Sequence, residues 1–377
     1  MKIVIRHKIL KDLRENRAIP LEAMPDKLGM SLDEYKKYES GDIKVNLKLA
    51  EKIAGIFKRN WSVFLLDGLT EEPLIKRDNR TVENQKSSLH EKTIEAIEDA
   101  NYIVEFVGGL GLNKGLKIKY EDIKSLDAES LANRVRQESK ITIHEQEDFK
   151  NVNGAFKRWK DYIESLGIFI SQYPLNKEDK IRAFSVTNNN QAVIVLNTND
   201  TVAGRIFSLF HEFCHILRRS SGVCDLHYSS SSDLEVFCNK FASSFLAPTQ
   251  IVADYINSKG KKVIVSDLEY HSRILSTKLR VSQLVIYRKF AALDLISDQQ
   301  YSKIHKEFLN TFSSIARKKE GQGGGPDYYV VKIARNGKAY SNIVLDALNK
   351  GSISAFEAGN ALGVGVKNLN EYMNKTA

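Results

Sequence analysis

The chain has 377 residues, 42% of them hydrophobic and 27% charged, a balance that excludes a wholly disordered or collagen-like polymer. Its 56 basic and 47 acidic side chains leave a formal net charge of +9, and at roughly 150 residues per domain the length predicts two or three domains. No apolar run approaches the ~18 residues of a membrane span, the opening MKIVIRHKILKDLREN has no signal-peptide core, and Cys214, Cys224 and Cys238 are too few for a disulfide framework, so no membrane partner and a cytoplasmic location are expected.

From the N-terminus, residues 6–16 predict a helix with Ile9, Leu10 and Leu13 on one face. Residues 21–28 predict a short second helix, with Pro25 inside it and costing a hydrogen bond. Gly29 permits a sharp turn, Ser31 is placed to cap a third helix with Glu34 completing a capping box, and Gly41 ends that helix. Helices over 46–57 and 60–66 complete a compact set, in which LEAMPDKLGMSLDEYKKYESG has a helix-turn-helix layout.

Residues 68–90 are polar and aperiodic, as a linker is, and helices are expected over 91–107, 125–137 and 151–166. The period then changes. Ile168–Tyr173, Ile181–Val186 and Ala192–Leu196 predict three strands, and their short spacing suggests an antiparallel meander. Helices follow from Val202 to about Arg219, over Asp233–Leu246, and over 249–258, 266–276, 282–292 and 298–316. The stretch RKKEGQGGGP at 317–326 lacks the Lys-Ser/Thr of a phosphate loop and predicts a hinge. The tail predicts a strand at Tyr328–Ile333, then helices over 339–349, 354–362 and 366–374.

Charge concentrates at the two ends. Residues 1–67 hold 14 basic and 10 acidic side chains and residues 316–377 hold 9 and 5. Such ends attract nucleic acid, although an ordinary solvated surface accounts for the same charge.

The sharpest chemical signal is His211-Glu212-Phe213-Cys214-His215. On a helix, residues i and i+4 share a face, so the two imidazoles can grip one Zn²⁺, while Glu212 projects toward the metal's water and can take its proton. A catalytic zinc needs a third protein ligand. The next helix offers Asp233 and Glu235; Asp233 better fits an N-cap and Glu235 is the expected ligand. Cys214, three residues after His211, is an alternative ligand that more often belongs to a core. His227 and Tyr228, between the two helices, are candidate donors to a developing oxyanion, with a surface His-Tyr pair as the plainer reading. Arg218 and Arg219 fit the helix C-terminus, where positive charge is favourable.

The run HEFCHIL, followed by E-x-x-x-N-x-F-A-x-x-F-L-A-P, resembles the ImmA/IrrE family of zinc metallopeptidases over about residues 150–250. That resemblance implies a gluzincin-type organisation, with zinc held by His211, His215 and Glu235 and with Glu212 as general base. The N-terminal segment resembles the Xre/Cro-type helix-turn-helix family through Leu21, Leu28-Gly29-Met30-Ser31, Tyr38-Glu39-Ser40-Gly41 and Ala50-x-x-Ile53-Ala54. It implies a third helix in the DNA major groove, where Lys36 and Lys37 would face phosphates that Asp33 and Glu34 oppose. The tail Ile353–Tyr372 also looks like a helix-turn-helix, but VKNLNEYMN is nearly neutral and suits a structural or partner-binding cap.

The expected fold is α+β and mostly α. A helix-turn-helix bundle (1–67) leads through a linker and connecting helices (68–130) to a zincin-like domain with a small antiparallel sheet (131–316), then a hinge (317–326) and a small helical tail domain (327–377). The resemblances imply a cytoplasmic zinc peptidase and transcriptional regulator that cleaves or controls a protein, such as a repressor or toxin encoded nearby, in a phage, mobile-element, stress or toxin–antitoxin circuit. The competing reading is a non-enzymatic DNA-binding regulator or antitoxin with the zinc fold as scaffold.

Overall fold

A computed structural model of the chain describes residues 2–16, 19–57, 61–66, 68, 89–111, 115–117, 123, 125–188, 190–218, 233–317 and 327–376. It falls into two compact units, Met1–Tyr102 and Ile103–Ala377. Among the described residues, no helix is long and apolar enough to cross a membrane.

The first unit contains β1 (Lys2–Ile5), α1 (His7–Asn16), a 3₁₀ turn at Leu21–Ala23, α2 (Met24–Leu28), α3 (Leu32–Ser40), β2 (Ile43–Asn46), α4 (Leu47–Ile56), a 3₁₀ turn at Trp61–Leu65 and the start of α5 (Glu91–Gly109). The residues 21–28 therefore divide into a 3₁₀ turn and a helix, and the stretch expected as a helix over 60–66 holds the 3₁₀ turn Trp61–Leu65. Pro25 lies in the first turn of α2, where its missing N–H would have had no intrahelical partner, so the expected loss of a hydrogen bond does not occur. Gly29 adopts φ +70° between α2 and α3. Ser31 Oγ accepts the Glu34 backbone N–H at 3.2 Å, which is one half of the expected capping box. The small antiparallel sheet of β1 and β2, with Ile3 opposite Val45, was not anticipated. Its Ile3, Ile5 and Val45 join Ile9, Leu10, Tyr35, Ala50, Ile53 and Phe57 in one apolar core. At the edge of that core Arg14 grips Glu39 with two bonds of 2.6 and 2.8 Å, and Tyr35 donates to the same carboxylate at 2.7 Å.

The second unit contains α6 (Ala128–Ser139), α7 (Ile143–Glu147), α8 (Val152–Ser165), β3 (Ile168–Tyr173), β4 (Ala183–Asn188), β5 (Gln191–Asn197), α9 (Val202–Leu217), α10 (Asp233–Leu246), α11 (Thr249–Lys259), α12 (Lys261–Ser266), α13 (Leu268–Leu279), α14 (Gln283–Ala292), α15 (Asp298–Arg317), α16 (Tyr328–Asn336), α17 (Lys338–Asn349), α18 (Ala355–Leu362) and α19 (Leu369–Thr376). Its three strands are ordered β3-β5-β4. β4 and β5 form an antiparallel hairpin, but β3 runs parallel to β5, with Ile168 opposite Ala192. The sheet is thus mixed, and the antiparallel meander is corrected. The longer connection 174–182 lets the chain cross to the far side of β5. The physical signal is burial on both faces: β5 is buried along its whole length and β3 nearly so, the pattern of continuous apolar runs rather than alternation.

A second correction concerns Tyr328–Ile333, which belongs to the helix α16. Its β-branched run suggested a strand, yet the Asp327 side chain caps Tyr329 and Val330, and Gly337 at φ +79° stops the helix. The tail helices α16 and α17 pack on β3. Gly337 sits so close to it that a Cβ would lie 2.3 Å from the Ile170 carbonyl oxygen. Tyr340, fully buried, meets Phe169 and Phe106 edge-on.

Candidate metal centre

The candidate metal site is assembled by two helices that the core locks together. α9 follows directly on the central strand β5, and Thr201 caps it by accepting the Gly204 N–H at 3.0 Å. Its residues from Ser208 to Leu217 are all buried. Phe210 stacks on Phe245 of α10 with ring centres 4.1 Å apart, and Trp159 of α8 meets both rings edge-on. Arg136 of α6 donates to the Phe245 carbonyl at 2.6 Å and lies over the same aromatic rings. Such rigid aromatic packing fixes the spacing of α9 and α10 to within the tolerance a ligand set needs.

On that frame His211 and His215 of α9 turn their Nε2 atoms toward each other at 3.2 Å. Glu235, in the first turn of α10, places Oε2 3.1 Å from His211 Nε2 and Oε1 3.1 Å from His215 Nε2. These three groups form the metal-capable cluster found among the described residues. Tetrahedral zinc with bonds of about 2.0–2.1 Å requires donor atoms about 3.3–3.4 Å apart. The Nε2–Nε2 separation and the distance from each Nε2 to its nearer Glu235 oxygen match that spacing to within a few tenths of an ångström. Two histidines and a carboxylate are also a donor set that leaves a fourth position for water, so residues and geometry fit zinc. Burial pushes the Glu235 carboxyl up, but hydrogen bonds from the two imidazoles outweigh it and hold the group down to about 2.

Glu212 is 3% exposed and lies between the two histidines in sequence. Its Oε2 accepts a hydrogen bond from Ser185 Oγ of β4 at 2.9 Å. Ser185 escaped the sequence reading; the available signal was one hydroxyl inside the apolar run Ala183–Val186.

Residues 163–290 match the Peptidase M78 family, the IrrE N-terminal-like domain. The match runs from the end of α8 to α14 and gives this third of the chain a zinc-metallopeptidase-like fold of the peptidase type. No curated protein and no solved structure matches the chain.

Within the M78-like segment the other candidates separate. Asp233 begins α10 and is exposed, outside the cluster. Cys214 and Cys238 are buried free thiols outside it too. A hydrogen bond with Cys214, together with burial, pushes the Cys238 thiol up, so it stays protonated and packs as core. Arg218 does more than solvate the end of α9. It donates to the Ile123 carbonyl at 3.2 Å and lies 4.6 Å from the ring centre of Phe237, joining α9 to α10. His227, Tyr228, Cys224 and Arg219 lie outside the described residues. In the first unit Lys36 and Lys37 are exposed on α3.

Proposed function

We propose that the chain is a zinc-dependent peptidase in which His211, His215 and Glu235 hold the ion and Glu212 moves the proton. The observation that carries this reading is the convergence of two imidazoles and a carboxylate, the Nε2 atoms 3.2 Å apart and each 3.1 Å from a different oxygen of Glu235, beside a buried Glu212 that is bonded to Ser185. When bound, zinc supplies a Lewis acid for a peptide carbonyl and acidifies water toward neutrality. Glu212 then acts as base, taking a proton from water, and as acid, returning it to the departing amine. β4 pairs with β5 alone among the described strands, so its other edge is where an extended peptide would add and run past Glu212.

The substrate in this reading is a protein, a repressor or toxin encoded beside the gene, in a phage, mobile-element, stress or toxin–antitoxin circuit. The first unit recruits the chain to DNA through α3, on which Lys36 and Lys37 are exposed. The alternative, a regulator with zinc as scaffold only, leaves a buried Glu212 between the ligands without a task.

Glu212→Gln discriminates between them. The change is nearly isosteric, so the variant keeps its fold and its zinc while hydrolysis falls by about 10²–10⁴. The assay follows cleavage of the neighbouring gene product, or of the chain itself within 68–90 and 317–326. Equal rates for variant and parent would end the peptidase reading. Glu235→Ala, measured by elemental analysis, should release the zinc; full retention would assign the third ligand elsewhere.

A further inference from the structure

Ser185 carries an inference about how the proposed base is aimed. β4 reads Ala183-Phe184-Ser185-Val186, all buried, and Ser185 is 1% exposed. A hydroxyl in such a layer is costly unless it is paired, and valine would suit the strand better. The hydroxyl is instead paired with Glu212 Oε2 at 2.9 Å. The terminal torsion of a glutamate is broad and has no sharp well of its own. A bond to one carboxylate oxygen removes that freedom and fixes the direction of the other. Ser185 is itself anchored, because its backbone lies opposite Ile194 in the β4–β5 ladder at the centre of the sheet.

We infer that Ser185 is a positioning residue, whose hydroxyl holds one oxygen of Glu212 so that the other is presented to whatever binds at the cradle of His211, His215 and Glu235. The inference rests on the zinc reading above and adds to it a residue of β4. It also links the base to β4, the strand proposed to receive the peptide, so that one strand sets both backbone and proton acceptor.

The test uses the zinc-loaded full chain and acetohydroxamate, a small chelator that grips a metal through two oxygens and donates a hydrogen bond to a neighbouring carboxylate. Affinity is measured by calorimetry for the parent, Ser185→Ala, Ser185→Thr and Glu212→Gln, with zinc content and thermal melting recorded for each. The expected result is unchanged zinc in all four and binding about tenfold weaker for Ser185→Ala and for Glu212→Gln, the scale of one hydrogen bond to a charged group. Ser185→Thr, which keeps the hydroxyl, should stay within about threefold of the parent. Parent-like binding by Ser185→Ala overturns the inference. So does Ser185→Thr behaving like Ser185→Ala, which would make the role one of packing, and so does loss of zinc or fold in Ser185→Ala alone. A parent chain that holds no zinc is a different result: it overturns the metal reading itself, and the role of Ser185 with it.

Discussion

Lys289 offers a sharp test of the packing that carries Glu235, the proposed third ligand. It lies on α14, only 2% exposed, and its Nζ donates at 2.8 Å to Ser244 Oγ at the end of α10 and at 2.8 Å to Thr249 Oγ1 at the start of α11. It thus ties down the corner where the helix bearing Glu235 turns into the next. Burial disfavours the ammonium and pushes the pKa down from 10.5 to about 8. Between those values the folded chain has released a proton that the unfolded chain still binds. Stability from this group therefore rises with pH across the window, and a gap of this size corresponds to about 3 kcal/mol when fully developed. Lys289→Met fills the same space without a titrating amine. Melting both chains by calorimetry from about pH 7 to about pH 11 cancels the tyrosines and cysteines they share. The parent should gain on the variant by about 3 kcal/mol, or about 6 °C for a unit this large. Melting curves that stay parallel across the range would show that the amine keeps its proton in the fold, and would refute the reasoning.

Three further outcomes are expected. Gly337→Val forces a Cβ to within 2.3 Å of the Ile170 carbonyl oxygen at a φ of +79°, so it should cost at least about 1–3 kcal/mol and expose the tail helices to limited proteolysis; unchanged melting and protection would contradict the close contact. Burial works to raise the Glu39 carboxyl, but hydrogen bonds from Arg14 and Tyr35 outweigh it and hold the group below its usual range. The stability it confers is therefore present above about pH 4.5 and lost as pH falls below, and acid titration of Glu39→Gln should show a flatter loss in the first unit. Lys36→Glu combined with Lys37→Glu should abolish a gel shift of the chain's own promoter, and a surviving shift would move DNA contact away from α3.

The histidine pair and Glu212 were legible because their spacing is itself the chemistry: i and i+4 on a helix put two side chains on one face. Glu235 was legible as part of the cluster because it stands in the first turn of a helix with a clear apolar face, which left few carboxylates able to reach back. Ser185 was not, since a hydroxyl in a strand says nothing of what lies opposite it until the sheet is packed on α9. The parallel pairing of β3 escaped because strand spacing along the chain reports turn length, not neighbour order. Tyr328–Ile333 misled for the opposite reason. Its β-branched residues favour strands locally, but Asp327 and Gly337 bracket a helix, and helix caps outweigh the weaker intrinsic preference.

The order β3-β5-β4 also has a consequence during synthesis. The β4–β5 hairpin closes as soon as its tight turn has emerged, and β3 can add to it at once, because all three strands lie within residues 168–197. α8 packs on β3 from upstream, but α16 and α17 come from far downstream. Between Asn197 and Gly337 lie about 140 residues, which a ribosome adds in roughly 7–28 s at 5–20 residues per second. For that interval the nascent chain carries an edge strand without α16 and α17, the kind of surface on which neighbouring chains pair. Truncation before Gly337 would make this interval permanent, so chains cut there are expected to aggregate even though every residue of the proposed metal site has been made.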